Sequence, residues 1–318
     1  MASICVDPPE HPIFRIYLPL GLRSLILTAF HRDALTGGHV HARRVYRRCA
    51  ERFWWPTMRV DCTQFCQECT KCASRGKGTY HLTRTVSTQM EDFERPFQQV
   101  AIDLLAVNKS KDGNDHLVVI TDYLTRWAEA YPIKGAEAVT VVDTLMRQFI
   151  PRYGCPERIK TDQGPEFKAR LFKEMGYWMD CQTISSIPYR PQSNGMVERF
   201  NRTLIDMLSM YCSANSADWD YWLPFVLFAY RTAFHEVIQH SPFEMLYGRN
   251  ARTPLDVILT PNVSEEPPLY TATTDVAFKG RNPTEYLAAL KERFKVLYSS
   301  SQAHSYGSVA AAPGTGTA

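Results

Sequence analysis

The sequence lacks the charged start, short apolar run and small-residue cleavage pattern of an export signal, so a secretory route is not expected. It also lacks any apolar run near the ~18 residues that a bilayer-spanning helix needs, so no membrane partner is expected. No internal repeat is visible, which sets aside solenoids and propellers. Net charge is nearly absent too. The 36 Lys and Arg against 33 Asp and Glu leave +3, too little by itself to argue for nucleic acid.

What is there is unevenly spread. Before Tyr80 twelve Lys and Arg face six Asp and Glu, a local excess of +6. Such a module suits phosphate, although a solvated basic face is the commoner source of such a cluster. Four of the nine cysteines crowd between Cys62 and Cys72. With no export signal, reduced thiols in an intracellular compartment are expected, and clustered Cys beside His then points to metal.

Apolar periodicity predicts a helix over LRSLILTAF, broken by Gly37-Gly38, and a second from about Val40 to Phe53, stopped by Trp54-Trp55-Pro56. A third short helix is predicted over MRVDCTQFCQECTKC. Three small helices bury little apolar surface and need a staple. A polar stretch follows, and then VAIDLLAV, HLVVITDYL and RWAEAYPI read as strands of an antiparallel meander. Helices near 136–153, 168–178 and 193–211 alternate with strands RIKT and 182–186, and an apolar helix, WDYWLPFVLFAY, follows. This is an α/β pattern with a mixed sheet and flanking helices. The expected domains are a zinc-binding segment 12–75, a linker 76–95, an α/β core 96–255, a partly helical extension 256–298 and a disordered tail 299–318.

His31 and His39 stand seven residues apart in the spacer, and Cys69 and Cys72 two. Zinc takes four N or S ligands in a tetrahedron, and a C-x-x-C turn places two thiolates suitably. His41, Cys62 and Cys66 are rival ligands, and Cys66-x-x-Cys69 fits the spacing as well. The run H-x7-H, GGH, WWPTM and C-x-x-C over about 18–75 resembles the HHCC domain of integrases from gypsy-type LTR retrotransposons and retroviruses. The family pattern selects Cys69 and Cys72 over Cys66.

Three acids stand in telling places. Asp103 interrupts an apolar strand, where an acid costs several kcal/mol unless it is paired or bound to metal. Asp162 ends RIKT, and Glu198 lies one turn into its helix, 35 residues further on in the spacer. Each alone has a plain structural reading: a sheet-edge acid, a turn residue, a solvated helix acid. Phosphodiester attack needs a deprotonated nucleophile and shielding of the leaving oxygen, and two hard cations held by carboxylates supply both. With IDLL, VITDYLTRWAEAYP, TDQGPEF, PYRPQSNGMVERFNRTL and SPFEMLYGR, residues 95–250 resemble the catalytic core of gypsy-type integrases.

That resemblance implies an RNase H-like fold with Asp103, Asp162 and Glu198 as catalytic acids on Mg²⁺ or Mn²⁺, beside structural Zn²⁺ on His31, His39, Cys69 and Cys72. It implies 3′-end processing and strand transfer on double-stranded DNA, a homo-oligomer, and action in the nucleus after cytoplasmic assembly. Arg43, Arg44, Arg47, Gln192, Asn194, Gly195, Arg199 and Arg202 are the candidate DNA contacts. Asp122 is read as structural, and Trp219, Trp222 and Phe225 as core packing. The family's SH3-like module has no strand-rich basic counterpart after Pro261. The alternative is therefore a truncated or domesticated copy that binds or assembles on DNA without turnover; retention of all three acids favours the enzyme.

Overall fold

A computed structural model of the chain describes residues 3–5, 14–74, 93–162, 164–185, 195–212, 217–253, 256, 290–292 and 294–301. The chain divides into two compact units, one of residues 1–81 and 228–300 and one of residues 82–227 and 301–318. Among the described residues no helix is long and apolar enough to cross a membrane.

The first unit begins with β1 (Ser3–Cys5) and β2 (Phe14–Tyr17), then α1 (Leu20–His31), α2 (Ala42–Arg52), β3 (Phe53–Trp54), α3 (Met58–Gln67) and α4 (Thr70–Ala73). Proline before α1 cannot extend a helix backwards, and Pro56 ends the extended pair after α2. Ile26, Leu27 and Phe30 from α1, Val45 and Cys49 from α2, and Met58 and Cys62 from α3 close one small core with Phe53 and Trp55. The predicted single third helix is two. Cys69 takes an extended backbone (φ −70°, ψ 111°) between α3 and α4. That break turns the second thiol pair away from the axis of α3.

The second unit holds a five-stranded sheet: β4 (Gln99–Ala106), β5 (His116–Asp122), β6 (Ala128–Ile133), β7 (Arg158–Thr161) and β8 (Gln182–Ser185), in the order β6-β5-β4-β7-β8. The first three form the expected antiparallel meander, and β7 and β8 add in parallel. Val118, Val119 and Ile120 of β5 are all buried, so this strand is covered on both faces. Helix α5 (Ala138–Thr144), a π-helical stretch (Leu145–Phe149) and α6 (Ile150–Tyr153) fill the predicted 136–153 helix. Next come α7 (Pro165–Lys168), α8 (Arg170–Trp178), α9 (Gly195–Tyr211), α10 (Trp219–Thr232) and α11 (Pro242–Tyr247). The unit boundary, Leu227–Phe228, falls inside α10. The residues just after it belong with α2, whereas the sequence pattern carried the core on to 255.

Candidate functional site: a His/Cys centre and a carboxylate centre

His31 closes α1, and the chain must turn sharply to bring His39 back to it. Gly37 and Gly38 allow the turn: a Cβ at Gly37 would stand 2.5 Å from the His31 carbonyl carbon, and Gly38 has φ +66°. Asp33 accepts at Oδ1 from the Leu35 and Thr36 N–H groups, both at 2.9 Å, and the His39 N–H donates to His31 O at 2.8 Å. The outcome is a cluster in which one donor atom each from His31, His39, Cys69 and Cys72 lies within 4.8 Å of the others. His31, His39 and Cys69 are almost fully buried.

The spacing inside the cluster is diagnostic. Zinc bonds of about 2.3 Å to sulfur and about 2.0 Å to nitrogen, at a tetrahedral angle, put S and N about 3.5 Å apart. Cys72 Sγ lies 3.5 Å from both His31 Nε2 and His39 Nδ1, and Cys69 Sγ lies 3.5 Å from His39 Nδ1. Cys66 Sγ instead approaches His31 Nδ1, the nitrogen that faces Val40 O at 3.2 Å. A proton on Nδ1 leaves Nε2 to take a metal and sets Cys66 behind the ring. Burial first, then the neighbouring thiols, pushes the Cys66 thiol up to about 12.

The carboxylate centre is built by register. β4 and β7 run parallel with Ile102 opposite Thr161. Asp103 is the next residue of β4, and Asp162 is the first residue after the end of β7. α9 packs on β4, and Asn201 Nδ2 donates to Asp103 Oδ2 at 2.6 Å. Glu198 precedes Asn201 by three residues, hence lies one turn away on the same helix face. Burial raises the Asp103 pKa, and the charge of Asp162 raises it further; the bonds from Asn201 and the Leu104 N–H oppose this, and Glu198 adds a smaller upward push. Asp103 thus feels both of the other acids. Asp162 is half-buried and Glu198 exposed, and they form no donor cluster as tight as the His/Cys one among the described residues. An all-oxygen, all-anionic donor set with an exposed side fits a hard divalent cation.

Asn201 was missed in the sequence. Its signal was a polar residue on the buried stripe of α9, where Val197, Phe200, Leu204 and Leu208 are apolar. Its Oδ1 is buried with no hydrogen-bond partner, so the side chain serves Asp103 through its NH₂ alone. Asp122 is 2% exposed and accepts from the Phe97 N–H, the Thr125 N–H and the Thr125 hydroxyl. It ties a turn, as expected. Trp219 is buried and donates to Asn108 O, while Trp222 stacks on Tyr211 with ring centroids 5.7 Å apart.

Of the candidate DNA contacts, Arg199 and Arg202 are exposed on α9, and Gly195 is its first residue. Gln192 and Asn194 lie outside the described residues. Arg43, Arg44 and Arg47 lie on α2 and meet residues 230–236 of their own unit.

Two family descriptions match the chain: "Integrase zinc binding domain" over residues 18–77 and "Integrase core domain" over residues 94–191. The retrovirus-related Pol polyprotein from transposon 412 of Drosophila melanogaster is 30% identical over 233 residues, 73% of this chain and 19% of that polyprotein. The Pro-Pol polyprotein of simian foamy virus type 3 (strain LK3) is 27% identical over 252 residues, 79% of this chain and 21% of that polyprotein. The chain spans about a fifth of the length of these curated relatives. A crystal structure of the catalytic core domain of BIV integrase is 26% identical, covering 46% of this chain and 92% of its own, with a TM-score of 0.38.

The helical HHCC segment falls within the integrase zinc binding match, and the mixed five-stranded sheet falls within the integrase core match. The chain carries an integrase zinc binding domain and an integrase core domain, and it is similar to retrovirus-related Pol polyproteins.

Proposed function

We propose that the chain is a metal-dependent polynucleotidyl transferase that trims the 3′ ends of element DNA and joins them to host DNA. It would act as a homo-oligomer on double-stranded DNA in the nucleus, after cytoplasmic assembly. The observation that carries the reading is the bond from Asn201 of α9 to Asp103, which sets Asp103 against the helix that bears Glu198, with Asp162 just past the end of the neighbouring β7. In this reading Asp103, Asp162 and Glu198 hold Mg²⁺ or Mn²⁺, which when bound would activate the attacking hydroxyl and shield the leaving oxygen. The protein's own part is to aim three carboxylates at one spot. His31, His39, Cys69 and Cys72 hold Zn²⁺, which contributes folding energy directly.

Asn201 is a positioning residue in this scheme. Asn201→Ala is expected to raise the Mg²⁺ concentration needed for half-maximal activity by about 10- to 100-fold, the usual effect of losing a group that orients a metal ligand. A titration of activity against Mg²⁺, beside a thermal melt, checks this. An unchanged metal requirement in a folded variant would remove Asn201 from the site.

Arg199 and Arg202, with Gln192, Asn194 and Gly195, are proposed to meet the phosphate backbone, the last at a helix start. Duplex affinity should then fall steeply with salt. Arg199→Ala and Arg202→Ala should each lower the log–log slope by about 0.9. Salt-independent affinity would count against an electrostatic interface.

A strand-transfer assay with Mg²⁺ or Mn²⁺ tests the whole reading. A copy that binds DNA without turnover is the competing reading, and the same assay separates the two.

A further inference from the structure

α2 has two faces. Val45 and Cys49 pack into the core of the HHCC segment, and the arginines point the other way. Five arginines on eleven residues repel one another and would be expected to spread into water. Each instead meets the segment 229–256 of the same unit. Arg48 Nη2 donates to Ala229 O and Thr232 Oγ1, both at 3.0 Å. Arg52 forks onto Asp256, Nε to Oδ1 at 2.5 Å and Nη2 to Oδ2 at 3.3 Å, with both side chains buried. Arg44 is half-buried, its pKa lowered by burial and pushed back by Tyr230 and Glu236.

The rim is different. Arg43 Nη1 lies 3.3 Å from Glu236 Oε2, with 58% of the Arg43 side chain exposed. The Arg47 guanidinium lies 3.5 Å from the ring centroid of Phe234. Exposed ion pairs hold weakly, whereas Arg48 and Arg52 would leave a buried charge unpaired if pulled away. The phosphate oxygens of a nucleic acid can take the place that the Glu236 carboxylate fills beside Arg43.

We propose that residues 234–236 are a displaceable cover on a phosphate-binding rim formed by Arg43 and Arg47. Glu236 stands in for a backbone phosphate, and duplex DNA displaces it, while Arg48 and Arg52 keep the segment tethered. This rests on the DNA-acting reading above and adds an internal competitor to it.

The test uses the full, zinc-loaded chain and a random-sequence duplex, with binding followed by fluorescence anisotropy from 50 to 200 mM salt. Glu236→Gln keeps the shape and removes the competitor, so affinity at 50 mM salt should rise about two- to fivefold, the range an exposed ion pair sets. Arg43→Ala alone should lower the salt slope by about 0.9. In the Arg43→Ala background, Glu236→Gln should have no further effect. Phe234→Leu, which keeps the packing but removes the aromatic face, should tighten binding in the same direction. Unchanged affinity in Glu236→Gln, with melting and strand joining intact, overturns the cover and leaves the functional reading standing. A gain that persists without Arg43 is a general charge effect and also overturns it. If the wild-type chain binds no duplex at all, the DNA-acting reading falls and the cover with it.

Discussion

Cys69→Ser is expected to strip zinc from the protein and unfold the HHCC segment, with metal content dropping from one zinc per chain to almost none. The core of this segment is small: Phe30, Val45, Cys49, Phe53, Trp55 and a few neighbours. Structural zinc sites contribute about 10–16 kcal/mol of apparent binding free energy in zinc-finger peptides. A whole domain is stable by only about 5–15 kcal/mol, so losing the site outweighs anything the apolar cluster supplies. Chelation of the wild type should have the same effect. It should also loosen residues 229–256, because their arginine partners sit on α2. Cys66→Ser is the control: its sulfur faces the Nδ1 side of His31, and zinc content should hold. Metal analysis with hydrogen exchange on the full chain checks both. Zinc lost from Cys66→Ser and retained in Cys69→Ser would reverse the ligand assignment.

Asp103→Asn is expected to separate activity from stability. Burial, and then the charge of Asp162, raise the Asp103 pKa in the folded chain. For an acid shifted upward, the favourable contribution is fully present below the unfolded pKa and is lost as pH rises through the folded one. At neutral pH the ionised carboxylate therefore costs stability until a cation binds it. Asparagine removes that cost and its pH dependence, so the metal-free variant should melt no lower than the wild type at pH 7. It should melt lower relative to wild type as pH falls into the carboxylate range. Added Mn²⁺ should stabilise the wild type and leave the variant unmoved. Activity should fall more than about 100-fold, the upper range for groups one shell further from a metal. Asp122→Asn removes a turn-tying acid far from this chemistry, and the Mn²⁺-induced stabilisation should survive there. A metal response equal in Asp103→Asn and wild type would contradict the site.

How much of this was legible beforehand depended on whether short-range pattern or distant contact decides. The clustered His and Cys pointed to a metal, but spacing left Cys66 open, and only the resemblance selected Cys69 and Cys72. Asp103 was conspicuous as an ionisable residue inside VAIDLLAV, whereas Asp162 and Glu198 were singled out only through the resemblance, because a turn acid and a helix acid are common. The break at Cys69 was not legible. A polar helix pattern runs straight through Met58–Cys72, and only the need to aim two thiols at two histidines interrupts it. Asn201 hid for a related reason: an Asn beside Arg199 and Arg202 looks like part of a solvated face until α9 is docked on β4. The arginines of α2 hid most completely. Nothing within Ala42–Arg52 tells whether that face meets water, phosphate or a segment 180 residues downstream, and here Arg48 and Arg52 reach Ala229 and Asp256.

The central claim is that Asp103, Asp162 and Glu198 form a metal site that joins DNA ends. Its most direct test is a strand-transfer assay with the full, zinc-loaded chain, duplex oligonucleotides carrying the element's terminal sequence, and supercoiled target DNA. The predicted result is joined product with Mg²⁺ or Mn²⁺, none in EDTA, and none from a folded Glu198→Gln protein. Joining by Glu198→Gln at the wild-type rate, from a preparation free of nuclease, would contradict it.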